Sequence, residues 1–273
     1  MRDFKFKFLG TGTSSGIPVI GCDCAVCTSA DPKDNRLRTS AAVEWIDDSG
    51  KSRTVLIDTS PDLRQQALRF GIKRLDAILY THNHVDHTFG LDEVRRYNAM
   101  QGQAIDVYAE APTLTFLKRI FGHIFESEKN INQSFVATLI AWPLEIGKAV
   151  ELHGVRFTPL RVLHGRLPIA GFRIETANDA AGSILPLAYL TDVSAIPPET
   201  WPQLRGVRTL VLDALRHRHH PTHLTIGQAV SIAHEIGAEQ TYFVHMTHDI
   251  SHAETQADLP ERMMLAWDGL ELS

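Results

Sequence analysis

The stretch that most limits what this chain can fold into is "THNHVDH", residues 81–87, which follows the apolar run "LDAILY". That run has the length and composition of a strand. Immediately after it come His82, His84, Asp86 and His87, four residues of metal-ligating type within six positions. At the end of a strand the two-residue period puts His82 and His84 on one side, and Asp86 and His87 follow where the chain turns. Neutral imidazoles and a carboxylate suit Zn²⁺, Mn²⁺ or Fe²⁺. The plain alternative is a polar loop that happens to hold histidines, and so dense a set of ligand types counts against it. One such cluster cannot close two metal sites, so the fold has to bring further ligands to it from distant parts of the chain.

Three candidates end later strand-like runs. His164 ends "RFTPLRVLH", Asp192 ends "LPLAYLTD" and His245 ends "TYFVH". Each alone reads equally well as a surface residue; together they complete a dinuclear set. Other runs of the same kind are "AAVEWI", "RTVLID", "AIDVYAE", "GFRIET" and "RTLVLDA", rich in Val, Ile, Leu and aromatic residues. Helical patterns lie between some of them. "SPDLRQQALRFG" places Ser60 as N-cap, Pro61 at the first helical position and Gly71 beyond the end. "APTLTFLKRIFG" and "TIGQAVSIAHEIG" are two more. The pattern is mixed α/β. With no repeat, low-complexity segment or Pro/Ser linker to divide it, one domain is expected over residues 1–273. Polar residues at strand ends are where sites gather in such folds.

The composition fits. Of 273 residues, 44% are hydrophobic and 22% charged, enough for a real core. The net charge of −5 argues against a broad nucleic-acid-binding face. "MRDFKFKFLG" alternates like a strand rather than running apolar like a signal peptide, and no apolar run reaches the roughly 20 residues needed to span a bilayer. A cytoplasmic protein is expected, and there three cysteines do not make a disulfide framework. The Gly-rich "GTGTSSG", residues 10–16, has the wrong spacing for a dinucleotide loop, and Ile17-Pro18 stands where a helix should start. A tight turn near a functional cleft is the better reading.

"THNHVDH" together with His164, Asp192 and His245 resembles the metallo-β-lactamase superfamily over nearly the whole chain. The resemblance implies a four-layer αββα sandwich with the site on one edge of the sheets. It implies that His82, His84 and His164 hold one divalent metal, that Asp86, His87 and His245 hold the other, and that Asp192 bridges them with a hydroxide. Asp58 in "VLIDTSPD" matches the family's first motif and would support the metal site. Two metals so placed lower the pKa of a shared water and clamp a phosphodiester.

All three cysteines fall in "GCDCAVC", and a structural zinc wants four ligands. His248, three residues beyond His245, is the proposed fourth, giving a Cys₃His site of Cys22, Cys24, Cys27 and His248 in a loop at about residues 21–28. Ordinary buried thiols and a surface histidine are the alternative. With "HPTHLTIGQA" and "VHMTHD", the cysteine loop resembles the phosphoribosyl 1,2-cyclic phosphate phosphodiesterases of the bacterial carbon–phosphorus lyase pathway. That resemblance implies two catalytic divalent metals (Zn or Mn), one structural zinc, a homodimer and a small cyclic phosphodiester as substrate. It implies His223 and Asp86 as catalytic residues. "LRHRHHPTHL" carries Arg216, His217, Arg218, His219 and His220, read either as a solvated loop or as cations for phosphate. Three other functions share these motifs: a tRNA 3′-end-processing nuclease, a pyrroloquinoline quinone biosynthesis-type protein, and a metal-binding protein without turnover. The first usually carries an RNA-gripping arm that this acidic chain lacks, and the intact ligand list favours a hydrolase over the others.

Overall fold

The computed structural model describes residues 1–131, 134–176 and 184–273. Its strands are β1 (Arg2–Gly10), β2 (Ser40–Ile46), β3 (Ser52–Ile57), β4 (Ala77–Leu79), β5 (Ile105–Ala109), β6 (Leu139–Pro143) and β7 (Val150–Leu152). There follow β8 (Val155–His164), β9 (Leu167–Thr176), β10 (Leu187–Leu190), β11 (Thr209–Asp213), β12 (Gln240–Val244), β13 (Met263–Leu265) and β14 (Glu271–Leu272). They form two seven-stranded sheets, in the orders β14-β1-β2-β3-β4-β5-β6 and β13-β12-β11-β10-β9-β8-β7.

Side-chain alternation explains the layers. Along β3, Val55 and Ile57 face the space between the sheets while Leu56 faces out; along β10, Leu187 and Tyr189 face in while Ala188 and Leu190 face out. Phe6, Phe8, Trp45, Phe157 and Phe172 fill the space between the sheets. The outer face of the first sheet is covered by Leu63, Val94, Tyr97, Leu114 and Leu117, and that of the second by Ile226, Ala229 and Ala233. Strands buried on both faces need apolar residues at every position, which is why β10 and β11 read as unbroken apolar runs. The result is the αββα sandwich that the sequence resemblance implies.

β3 pairs β4 in parallel, and β10, β11 and β12 run parallel with Leu190, Leu212 and Phe243 in register. The C-terminal ends of these strands in both sheets therefore come out along one edge. That edge carries the site.

Local signals were mostly sufficient. The helix Ile226–Ile236 starts with a capping box from Thr225 and Gln228 and ends at Gly237 in the left-handed region. The helix Leu63–Phe70 does end at Gly71, but its N-cap is Asp62, not Ser60. Ser60 is buried, its hydroxyl accepting from Asp62 N and donating to Gln66 Oε1, and Gln66 in turn donates to the Arg38 carbonyl. The hydroxyl is thus taken by Asp62 N and the Gln66 side chain, and the helix starts two residues later. Likewise β4 stops at Leu79, so His82 and His84 lie beyond the strand. Their rings still meet, with centroids 4.5 Å apart, because the chain stays extended through His84 before turning into the helix Val85–Thr88.

Candidate active site and metal centres

Each candidate ligand sits just past a strand end. His164 closes β8, the 81–87 segment follows β4, Asp192 follows β10 and His245 follows β12. Asp58, Asp192 and His245 all have positive φ, 62°, 58° and 64°. Non-glycine residues pay of order 1–3 kcal/mol for such conformations, and they survive where the surroundings over-determine them. Here the left-handed kink turns a side chain from the strand direction into the edge of the sandwich.

Three of the imidazoles, His82, His87 and His164, are held through Nδ1, which leaves Nε2 to offer. Thr81 Oγ1 donates to Asp58 Oδ2 at 2.8 Å, so it must accept from His82 Nδ1 at 3.0 Å. His87 Nδ1 donates to Asp58 Oδ2 at 2.7 Å, and His164 Nδ1 to the Thr222 carbonyl at 2.9 Å. Three groupings follow. His82, His84, His164 and Asp192 place ligand atoms within 4.8 Å of one another; so do Asp86, His87 and His245, and so do Asp192, His223 and His245. Asp192 joins them: its oxygens are 3.2 Å from His87 Nε2, 3.3 Å from His245 Nε2 and 3.9 Å from His82 Nε2. The structure thus brings together all seven residues that the sequence singled out.

The residues fit cations. The Nε2 atoms of His82, His87 and His245 are buried without a hydrogen-bond partner, and such an orphan costs about 1–3 kcal/mol. Converging lone pairs and carboxylates need positive charge between them. The electrostatics agree. Burial would raise the Asp192 carboxyl, but His245, His87 and His82 hold it well below the usual range. Burial, with His87 beside it, pushes His82 well down. Burial would also lower His87, yet Asp192, Asp86 and Asp58 pull it well up.

His223 stands at the rim, its ring 4.6 Å from that of His164 and 4.8 Å from that of His245. Burial first, then the charge of His245, lowers its pKa to about 3. Its Nδ1 donates to Asp213 Oδ1 at 3.0 Å. Asp213 went unnoticed in the sequence, although it ends "RTLVLDA" as the other site residues end their runs. It is fully buried, accepts from Leu224 N at 2.9 Å, and lies 3.6 Å from His245 Nδ1. Thr81 was missed as well. In the 216–220 loop, Arg216 donates to the Arg218 and His219 carbonyls and Arg218 pairs with Asp249. His217 Nε2 lies 3.3 Å from Thr255 Oγ1, and His220 turns toward the site, its ring 5.2 Å from that of His223.

Beyond His245, at His248, the three cysteines converge. Sγ of Cys22, Cys24 and Cys27 lie 3.2, 3.5 and 3.4 Å from His248 Nδ1. One ring nitrogen can share one proton with one sulfur. Three sulfurs around it leave two contacts unexplained, and a tetrahedral cation among the four groups explains all of them. The Cys27 N–H donates to Cys24 and lowers its thiol to about 7, while burial raises Cys27 to about 11. No helix among the described residues is long and apolar enough to cross a membrane.

Residues 53–246 match the beta-lactamase superfamily domain. The crystal structure of a new diphosphatase from the PhnP family is similar at TM-score 0.86 and 45% identity, covering 98% of this chain and 96% of that one. An octanoyltransferase of Porphyromonas gingivalis is 37% identical over 265 residues, which is 96% of this chain and 50% of that protein, so the chain spans about half of that relative's length. A coenzyme PQQ synthesis protein B of Methylobacterium nodulans is 34% identical over 221 residues, covering 75% of this chain and 71% of that protein.

Proposed function

This chain belongs to the beta-lactamase superfamily, and from that premise we propose that it is a metal-dependent hydrolase that cleaves small phosphodiesters, cyclic ones such as phosphoribosyl 1,2-cyclic phosphate foremost. The observation that carries the reading is the position of Asp192, one carboxylate within 3.9 Å of imidazoles from both ligand groups. Shared in this way it suits a two-cation site, and such sites suit in-line displacement at phosphorus.

His82, His84 and His164 would hold one divalent cation, Zn or Mn, and Asp86, His87 and His245 the other, with Asp192 between. When bound, the pair would lower the pKa of a water and draw in the phosphoryl oxygens. Asp58 and Thr81 fix the His82 and His87 rings, and such supporting partners decide affinity as much as the ligands do. His223, steered by Asp213, is placed to give a proton to the leaving oxygen. The negative charge of a bound phosphate raises the proton affinity of an imidazole that burial otherwise keeps neutral. Cys22, Cys24, Cys27 and His248 would hold one structural zinc. A homodimer in the cytoplasm belongs to the same proposal.

The similarity to a PhnP-family diphosphatase favours a second reading, in which the bond cleaved joins two phosphates. The octanoyltransferase name covers a protein of which this chain spans half, and the cleft offers cation ligands rather than an acyl acceptor. The decisive experiment compares bis(p-nitrophenyl) phosphate, a ribosyl cyclic phosphate and ADP-ribose with purified protein, with and without chelator. Chelator-sensitive opening of the cyclic ester supports the first reading; turnover of ADP-ribose alone replaces it with the second; turnover indifferent to chelator sinks both.

A further inference from the structure

The "GTGTSSG" segment has no part in the metal sites, yet it is built with care. Met246 N donates to Thr11 O and Thr13 N to Met246 O, both at 3.0 Å, so the segment is stitched to the residue after His245. A Cβ on Gly10 would lie 2.1 Å from the Arg38 carbonyl, so only glycine lets the 36–38 segment come this close. A turn then closes from Thr13 O to Gly16 N, with Gly16 at φ 62°. The tip of that turn is Ser14-Ser15. Both are exposed, and among the described residues neither spends its N–H or its hydroxyl on a protein group.

Arg38 lies against the same turn. Its Nη1 is 3.5 Å from where a Gly16 Cβ would stand. Asp62 Oδ2 accepts from Arg38 N and lies 3.0 Å from Arg38 Nε as an ion pair without hydrogen-bond geometry, which keeps the guanidinium beside it. Neither terminal amine donates to a protein group among the described residues, so the outer edge of the guanidinium is left to solvent. Ser14, Ser15 and Arg38 share a cavity of about 320 Å³ with Asp86 of the metal centre, and Val19, Ile20, Pro61 and Val85 form its apolar wall.

We propose that Ser14, Ser15 and Arg38 form an anion subsite beside the metal centre, holding a phosphate of the substrate other than the one attacked. A guanidinium ion-paired with Asp62 and with two terminal amines presented together is suited to phosphate oxygens, and unpaired N–H groups at a turn tip make an anion-binding concavity. The apolar wall lies where the organic part of the substrate would bridge the two phosphates. This inference rests on the phosphodiesterase reading and narrows it to substrates bearing a second phosphate.

The test sets adenosine 2′,3′-cyclic phosphate against its 5′-phosphorylated form, with bis(p-nitrophenyl) phosphate as a substrate lacking the second anion. The native enzyme should favour the phosphorylated form by about tenfold or more in kcat/KM, the size expected of a charge-assisted contact. Arg38→Met and, independently, the exposed Ser15→Asp should erase that preference while the nitrophenyl ester falls by less than about threefold. ADP-ribose forms the other arm: loss confined to it places the second phosphate directly next to the scissile one. No preference in either arm, a preference that survives Arg38→Met, or equal loss on all substrates overturns the subsite. If no substrate is cleaved, the phosphodiesterase reading has failed separately, and calorimetric titration of the metal-loaded protein with ribose 5-phosphate decides the subsite. Tenfold weaker binding by Arg38→Met upholds it; equal binding removes it.

Discussion

Two clusters of metal-ligand residues hang from one segment, at His245 and His248, and are built in opposite ways. The cysteine cluster is closed. It has four groups around one point, three of them soft, all on loops, backed by a small apolar patch of Ile17, Val19 and Val26. The His/Asp cluster is open. It gathers hard ligands from strand ends of both sheets, keeps three left-handed backbones under strain, and faces a cavity at Asp86. Closed coordination leaves no room for a reacting molecule, whereas an open one requires it. On the proposed reading the same segment serves as a fastening on one side and as catalytic machinery on the other.

The contrast is broken most directly at Asp192. Asp192→Ala removes the group shared by both ligand sets and should cut turnover by well over the about 100-fold that losing a supporting partner costs. Metal analysis should show the catalytic cations depleted and the cysteine zinc retained. Full activity with both catalytic cations still bound would end the dinuclear assignment.

His223→Ala sharpens the open site's side. Loss of a proton donor is worth about 10²–10⁴-fold, but only where the leaving oxygen needs the proton. A sugar alkoxide needs it and a nitrophenolate does not, so the cyclic ester should suffer far more than bis(p-nitrophenyl) phosphate, with metal content kept. Equal loss on both substrates would reduce His223 to a phosphate contact, and loss of metal would make it a ligand. Asp58→Asn comes next. It leaves the shape of the buried group but removes the charge that receives His87 Nδ1, and should cost about 10–100-fold in metal affinity or turnover. No change in either would mean that His87 is oriented by its other neighbours alone.

The open site was legible in the sequence where its chemistry is local. Four ligand types in "THNHVDH" announce themselves, and His164, Asp192 and His245 do so by ending apolar runs. Asp213 ends such a run too, but its neighbours offered no second signal, and its role lies in a contact with His223 ten residues on that only the fold makes. The positive φ of Asp58, Asp192 and His245 is invisible in the same way, because no glycine marks it. For the fold, long buried strands showed as apolar runs, whereas β6, half exposed, and the two- and three-residue β7, β13 and β14 left little pattern to read. Ser60 misled as a cap because its hydroxyl binds Asp62 N and the side chain of Gln66 in the following helix, leaving Asp62 at the N-cap position.

The smallest effect on turnover is expected on the closed side, and the reason lies in what else holds the shared segment. Arg36, wholly buried, donates to the Thr247 carbonyl at 3.2 Å and to the Ile250 carbonyl at 2.8 Å, and pairs with Asp34. Thr247 N donates to Leu215 O, and Met246 is paired on both sides by Thr11 and Thr13. His245 is thus positioned without help from the cysteines. Cys24→Ser should therefore remove one zinc per chain and lower Tm by more than about 5 °C, each kcal/mol being worth about 2–4 °C in a chain near this size, while kcat at low temperature stays within about threefold. Structural zinc contributes about 10–16 kcal/mol in modules that have nothing else to fold around; here the buried Arg36 network shares that load. If Cys24→Ser also empties the catalytic site, the fastening and the machinery are one cooperative unit and the contrast between them fails. If neither zinc content nor Tm moves, the Cys₃His assignment fails instead.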